Sequence, residues 1–115
     1  MEKRHLVEVL RRSWSLKTSS KWTAEIPAKG QCGVTSLVVN DLLGGEIYKT
    51  RLYEGWHFYN VIDHIRHDFT ASQFGGAIQY DDIPSNRGEA FQDTDMDQYN
   101  ELKCKVLKHL GEIEH

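Results

Sequence analysis

The order of elements in this chain predicts an α+β fold. Three observations carry it: apolar residues at helical spacing near both ends, a second helical run that follows a cysteine and stops at paired glycines, and three alternating stretches before the last helix. A doubly wound parallel fold would instead alternate strand with helix and open a helix on a glycine-rich phosphate loop. Gly44-Gly45 follows a helix, and Gly75-Gly76 lacks the Lys-Ser/Thr of a P-loop.

Leu6, Val9, Leu10 and Trp14 recur at helical spacing, so residues 2–13 form an amphipathic helix that packs through one stripe. From Ser13 to Lys29 the pattern gives way to turn formers that carry Trp14 and Trp22. Aromatics of that size are expected to lie across the body, completing the core or walling a thiol pocket. The central helix starts at Cys32 after Lys29-Gly30, continues through the apolar run Val34 to Leu43 and is closed by glycine.

Glu46 to Tyr53, Trp56 to Ile62 and Ile65 to Thr70 read as strands, with Asp63-His64 joining the last two. Register then decides the chemistry. A two- or four-residue loop sets Ile62 opposite Ile65, Tyr59 opposite Asp68 and His57 opposite Thr70, so that His57 and Asp68 share a face. A three-residue loop or a bulge places them on opposite faces. Beyond Thr70 the sequence predicts a helical turn to Phe74, a short strand from Ala77 to Tyr80 and a turn at Ile83 to Arg87, with Ser85 capping a short helix through Phe91. Asp93 or Thr94 caps a last helix whose buried stripe is Met96, Tyr99, Leu102, Val106, Leu107 and Leu110, ending at Gly111.

At 115 residues the expectation is one domain, 1–115, with a single core. A net charge of -3 gives no electrostatic footprint for nucleic acid, and no apolar run suits a membrane span or signal peptide, which places the chain in the cytoplasm. In that reducing setting Cys32 and Cys104 are expected as thiols, and Cys104, flanked by lysines, as peripheral. No cofactor is expected. A metal site built from Cys32, His57, Asp68 and His67 lacks support from any Cys-x-x-Cys or His-x-x-x-His pair, so none is assigned.

A thiol at a helix start meets unpaired N–H groups and the positive end of the dipole, both of which lower its pKa. With an imidazole to move its proton and a carboxylate to orient the ring, such a thiol performs acyl transfer, or hydrolysis where water enters. Cys32, His57 and Asp68 can fill these roles, with the Cys32 N–H and the amide of Gln31 or a nearby side chain as candidate oxyanion donors and Trp22, Trp56 and Tyr59 as candidate substrate-binding side chains. Packing roles stand beside them: Cys32 as a small buried hydrophobe, His57 as a satisfied core histidine and Asp68 as the anchor of a turn. Asp93-Thr94-Asp95-Met96-Asp97 reads as a helix start, and His64 and His67 as solvent-facing.

The string Gly30-Gln31-Cys32-Gly33-Val34-Thr35, with Asp41-Leu42-Leu43-Gly44-Gly45, Gly55-Trp56-His57-Phe58-Tyr59-Asn60 and Asp68-Phe69-Thr70-Ala71-Ser72-Gln73-Phe74, resembles the YunG-like family of small bacterial proteins. The likeness runs from about Ser13 to Tyr99 and brings no particular reaction with it. More distantly, a helix-start cysteine followed by a strand histidine and an aspartate on the next strand is similar to the papain-like and transglutaminase-like cysteine enzymes. That resemblance implies their core, with the Cys32 helix packed on a small antiparallel sheet, Cys32 as nucleophile, His57 as base, Asp68 as orienting acid and Gln31 on the oxyanion side. Where papain-like peptidases commonly carry Cys-Trp, this chain has Cys32-Gly33. Its size suits a compact amide, thioester or isopeptide, a small-molecule or peptide substrate. The competing reading is a binding module that keeps such a core without turnover.

Overall fold

The computed structural model describes residues 2–113. Its elements are α1 (Lys3–Ser13), α2 (Cys32–Leu43), β1 (Glu46–Leu52), β2 (Gly55–Ile62), β3 (Ile65–His67), β4 (Ile83–Pro84), α3 (Arg87–Phe91) and α4 (Met96–Ile113), with a 3-10 turn at Ala71–Gln73. The strands form one antiparallel sheet in the order β3-β2-β1-β4. This is the predicted α+β class, with a Cys-bearing helix packed on a small sheet.

Helix α2 is apolar on nearly every side and is accordingly buried from Cys32 through Val39. It lies against β1 and β2 on one side and α3 and α4 on the other, while α1 packs on α4. Leu37, Val38 and Val39 meet Leu6, Val9 and Leu10 of α1, Phe58 of β2, and Leu102 and Val106 of α4 in the apolar core. Polar ties fix the helix to its surroundings: Asn60 Nδ2 donates to the Ser36 carbonyl at 3.0 Å and Trp14 Nε1 to Thr35 Oγ1 at 2.9 Å. Asn40 Nδ2 bonds the Gly44 and Gly45 carbonyls, and Gly45 takes a φ of +76° where a Cβ would stand 2.5 Å from the Val61 carbonyl. No side chain fits that stop.

The β2–β3 turn has two residues, Asp63 and His64, both with positive φ (52° and 66°), and Ile62 pairs with Ile65 as the two-residue reading requires. The ladder stops at Asn60–His67, so β3 ends three residues before the predicted Thr70. Ala77 to Tyr80 is not a strand. That segment meets β1 through the Thr50 hydroxyl, which donates to the Gln79 carbonyl at 3.3 Å, and just beyond it the Asp81 N–H donates to Thr50 Oγ1 at 2.8 Å and the Arg51 N–H to Asp81 Oδ2 at 3.2 Å. The ladder on this edge of β1 is taken up by Ile83 and Pro84, which the sequence had suggested as a turn.

Caps also differ. Asn86, not Ser85, caps α3 by accepting from the Glu89 N–H. Asp95, rather than Asp93 or Thr94, caps α4 by accepting from the Gln98 N–H at 2.8 Å. Helix α4 runs past Gly111, and its buried side is Tyr99, Leu102 and Val106, leaving Met96 and Leu107 exposed. No helix of the described residues is long and apolar enough to cross a membrane.

Candidate active site

Cys32 opens α2 and His57 sits on β2 opposite Thr50 of β1. Both line a cavity of about 220 Å³, whose walls include Trp56, Gln73, Phe74 and Asp93. His57 is 2% exposed and its ring meets that of Phe74 edge-on, with centroids 4.9 Å apart. Its Nε2 lies 2.7 Å from Asp68 Oδ2. A carboxylate there requires the hydrogen on Nε2, which leaves Nδ1 as the basic nitrogen. Nδ1 is buried and has no hydrogen-bond partner.

Asp68 is well held. Besides His57 it accepts the Tyr80 hydroxyl at 2.7 Å, the Thr70 N–H at 3.2 Å and the Thr70 hydroxyl at 3.4 Å. Gln73 extends this network to the nucleophile loop, donating from Nε2 to Thr70 Oγ1 and accepting the Gly30 N–H at Oε1. The loop before Cys32 and the carboxylate behind His57 are therefore parts of one hydrogen-bonded unit. Burial raises the Tyr80 hydroxyl pKa, and the Asp68 charge adds to it, so Tyr80 remains a donor.

The thiol itself departs from the expectation of a depressed pKa. Burial, and then the charge of Asp93, push Cys32 up to about 12, against which the Phe58 backbone N–H offers a smaller opposing pull. Cys32 Sγ donates to Asp93 Oδ2 at 3.4 Å, and the same oxygen accepts the Gly33 N–H at 3.1 Å. The helix start does stabilise an anion, but the anion it holds is a carboxylate from 60 residues away in sequence.

Of the other residues singled out from sequence, Trp56 lines the cavity, 41% exposed, with Lys49 Nζ 4.3 Å from its ring centroid. Tyr59 is buried behind it, giving its hydroxyl to Asp82 at 2.8 Å and packing its ring near those of His57 and Tyr80. Trp22 is elsewhere, in a groove it shares with Trp14, Leu16 and Lys105, so neither tryptophan walls the thiol cavity. Gln31 is fully buried, and its Oε1 accepts the Thr18 hydroxyl at 2.9 Å; it braces the loop and is absent from the cavity walls among the described residues. Cys104 is an exposed free thiol. His67 is half-buried, stacked on Phe69, rather than turned to solvent. Among the described residues no group of three His, Cys, Asp or Glu side chains is placed to hold a metal ion.

Asp93, Tyr80 and Gln73 belong to the site and escaped sequence reasoning. Asp93 stood in an acidic run that suits a helix start, and the other two lie beyond β3, where no periodicity fixes which way a side chain points.

No solved structure matches the chain. Residues 2–111 match the family model described as YunG protein. The chain is also similar to a protein of Bacillus subtilis (strain 168) named "Uncharacterized protein YunG", with 50% identity over 109 residues and 95% of each chain covered. The match takes in both terminal helices as well as the site, and the chain belongs to the YunG family.

Proposed function

We propose that this protein is a small cysteine hydrolase or acyltransferase that opens an amide, thioester or isopeptide bond through Cys32, His57 and Asp68. The observation that carries the reading is His57 itself. Its Nε2 is committed to Asp68, while its buried Nδ1 has no partner on a ring that shares a cavity wall with the thiol. Buried nitrogens of Trp22, Gln31 and His67 are also unpaired, and what sets His57 Nδ1 apart from them is that its ring lines the cavity of the thiol. The order of nucleophile, base and acid is also that of the papain-like and transglutaminase-like enzymes.

In this mechanism Nδ1 takes the thiol proton as Sγ adds to the substrate carbonyl. Asp68 stabilises the resulting imidazolium and holds the ring. His57 then returns the proton to the leaving amine or thiol, forming an acyl thioester on Cys32, which water or an acceptor amine resolves. Because burial keeps the resting thiol protonated, its proton moves during attack. A cavity of about 220 Å³ admits a compact acyl group.

The test uses p-nitrophenyl acetate with the full chain carrying Cys104→Ser. The expected result is an acetyl adduct on Cys32, seen by intact mass, whose formation falls about a hundredfold or more in His57→Ala. Acylation at an unchanged rate in His57→Ala sinks the triad. The raised thiol pKa favours one other reading, a binding module in which Cys32 only packs. There Cys32 forms no adduct at all, even though the fold is intact.

A further inference from the structure

We propose that Asp93 is a placeholder in the oxyanion site: its carboxylate occupies the Gly33 N–H and holds the Cys32 thiol away from His57 until a substrate carbonyl takes its place. The consequence for turnover rests on the Cys–His reading above, whereas the hold on the thiol does not. The thiol and the Gly33 N–H, the backbone donor that follows it at the start of α2 and is here assigned to the oxyanion, both point to one oxygen of Asp93. The group that should receive the thiol proton, His57 Nδ1, is left without a partner. The thiol bond is thus made to the wrong group for chemistry, and it is exchangeable.

Gly33 is shaped for this contact. A Cβ there would stand 2.6 Å from Asp93 Oδ2, 2.7 Å from Asp93 Cβ and 3.0 Å from the Ala90 carbonyl. Any larger residue after the nucleophile would force the carboxylate out. The Asp93 N–H bonds the Ala90 carbonyl at 3.1 Å, so the end of α3 sets its backbone over the start of α2. The residue as a whole is exposed while its carboxyl is turned inward, where burial raises its pKa, so displacement by a substrate oxygen returns that carboxyl to water.

The sequence of events follows from the geometry. A scissile carbonyl oxygen entering the cavity accepts the Gly33 N–H in place of Asp93 Oδ2. The thiol, losing its acceptor and the adjacent negative charge, becomes more acidic and turns to Nδ1. No bond to Asp93 forms or breaks beyond these hydrogen bonds, which makes Asp93 a positioning residue acting through Cys32. The charged groups around the thiol are Asp93 and, more distantly, Asp68; His57, Lys21, Lys29 and Glu54 share the cavity wall.

Alkylation of Cys32 by iodoacetamide, followed by intact mass from pH 6 to 10 in a Cys104→Ser background, reads the hold without any turnover. Asp93→Asn keeps the shape and removes the charge. It is expected to lower the apparent thiol pKa by about one unit, since a neighbouring like charge accounts for shifts of that order. Thiolate then rises tenfold near neutrality, and the lower nucleophilicity of a more acidic thiol leaves a net gain of about threefold to fourfold in rate. Asp93→Ser gives the same direction and serves if the amide variant melts early. Parent-like or slower alkylation in a folded Asp93 variant overturns the proposal, as does an apparent Cys32 pKa below the ordinary thiol value in the parent. Faster alkylation in Asp93→Asn together with no acyl adduct in any variant keeps the hold of Asp93 on the thiol and discards the hydrolase, and with it the oxyanion role; the converse pattern discards only the hold.

Discussion

Tyr80 reaches Asp68 from outside any strand, and its hydroxyl completes the shell of donors around a carboxylate whose side chain is 5% exposed. Removing that hydroxyl leaves a carboxylate oxygen with a donor missing, and hydrogen bonds to charged groups are worth about 1.5–3 kcal/mol. Tyr80 is itself only partly covered, with Arg66 over its ring, so water can substitute in part. Tyr80→Phe is therefore expected to lower stability by about 1 kcal/mol in urea denaturation, with an unchanged dependence on urea. A loss below about 0.3 kcal/mol would mean that solvent already satisfies Asp68. At this scale the helix-start position of Cys32 and the contact of His57 with Asp68 were legible in the sequence, the first from apolar spacing and the second from a hairpin register whose ladder ends one residue before Asp68. Asp93 was out of reach: its neighbour is chosen by how the end of α3 lands on α2, a tertiary fact with no local signature.

Among elements, the hairpin joining β2 and β3 matters most to the site, since its register decides whether Asp68 stands behind His57. The turn is a two-residue one with positive φ at both positions, and neither Asp63 nor His64 is a glycine. A non-glycine residue in this region costs about 1 kcal/mol, and His64 is exposed. His64→Gly supplies the favoured Asp-Gly pair and should raise stability by about 0.5–1 kcal/mol, or a few degrees in melting temperature, after the extra chain entropy of glycine is subtracted. An unchanged or lower melting temperature would show that the His64 side chain contributes something the bend alone does not. The register was readable because Ile62 and Ile65 flank the turn. The segment after Gly75-Gly76 was not, since its short alternation at Ala77 to Tyr80 looked like a strand while Thr50 and Asp81 side chains bind the β1 edge in place of a ladder.

Over the whole molecule, an ionisable thiol lodged in the core couples folding to alkaline pH. Cys32 packs in the same apolar cluster as Val34, Phe58 and Ala90, and its pKa is raised from 9.0 to about 12, by burial first and Asp93 second. Below pH 9 the thiol keeps its proton in both the folded and the unfolded chain, so its contribution to stability is fully present and independent of pH. Between 9 and 12 the unfolded chain gives up that proton and the folded one does not. The unfolded state then binds fewer protons, and stability falls as pH rises, with a limiting slope of about 1.4 kcal/mol per unit. Other groups ionise in the same range, Tyr59 and Tyr80 among those also raised by burial, so the slope must be read as a difference. Urea denaturation at pH 8, 9 and 10 in a Cys104→Ser background should show a stability curve that falls more steeply for the parent than for Cys32→Ser, whose hydroxyl does not ionise there. The gap should open above pH 9 and reach on the order of 1 kcal/mol by pH 10. Parallel curves would mean that the folded state ionises Cys32 as readily as the unfolded one. Such a thiol would not need Asp93 to move before it could attack.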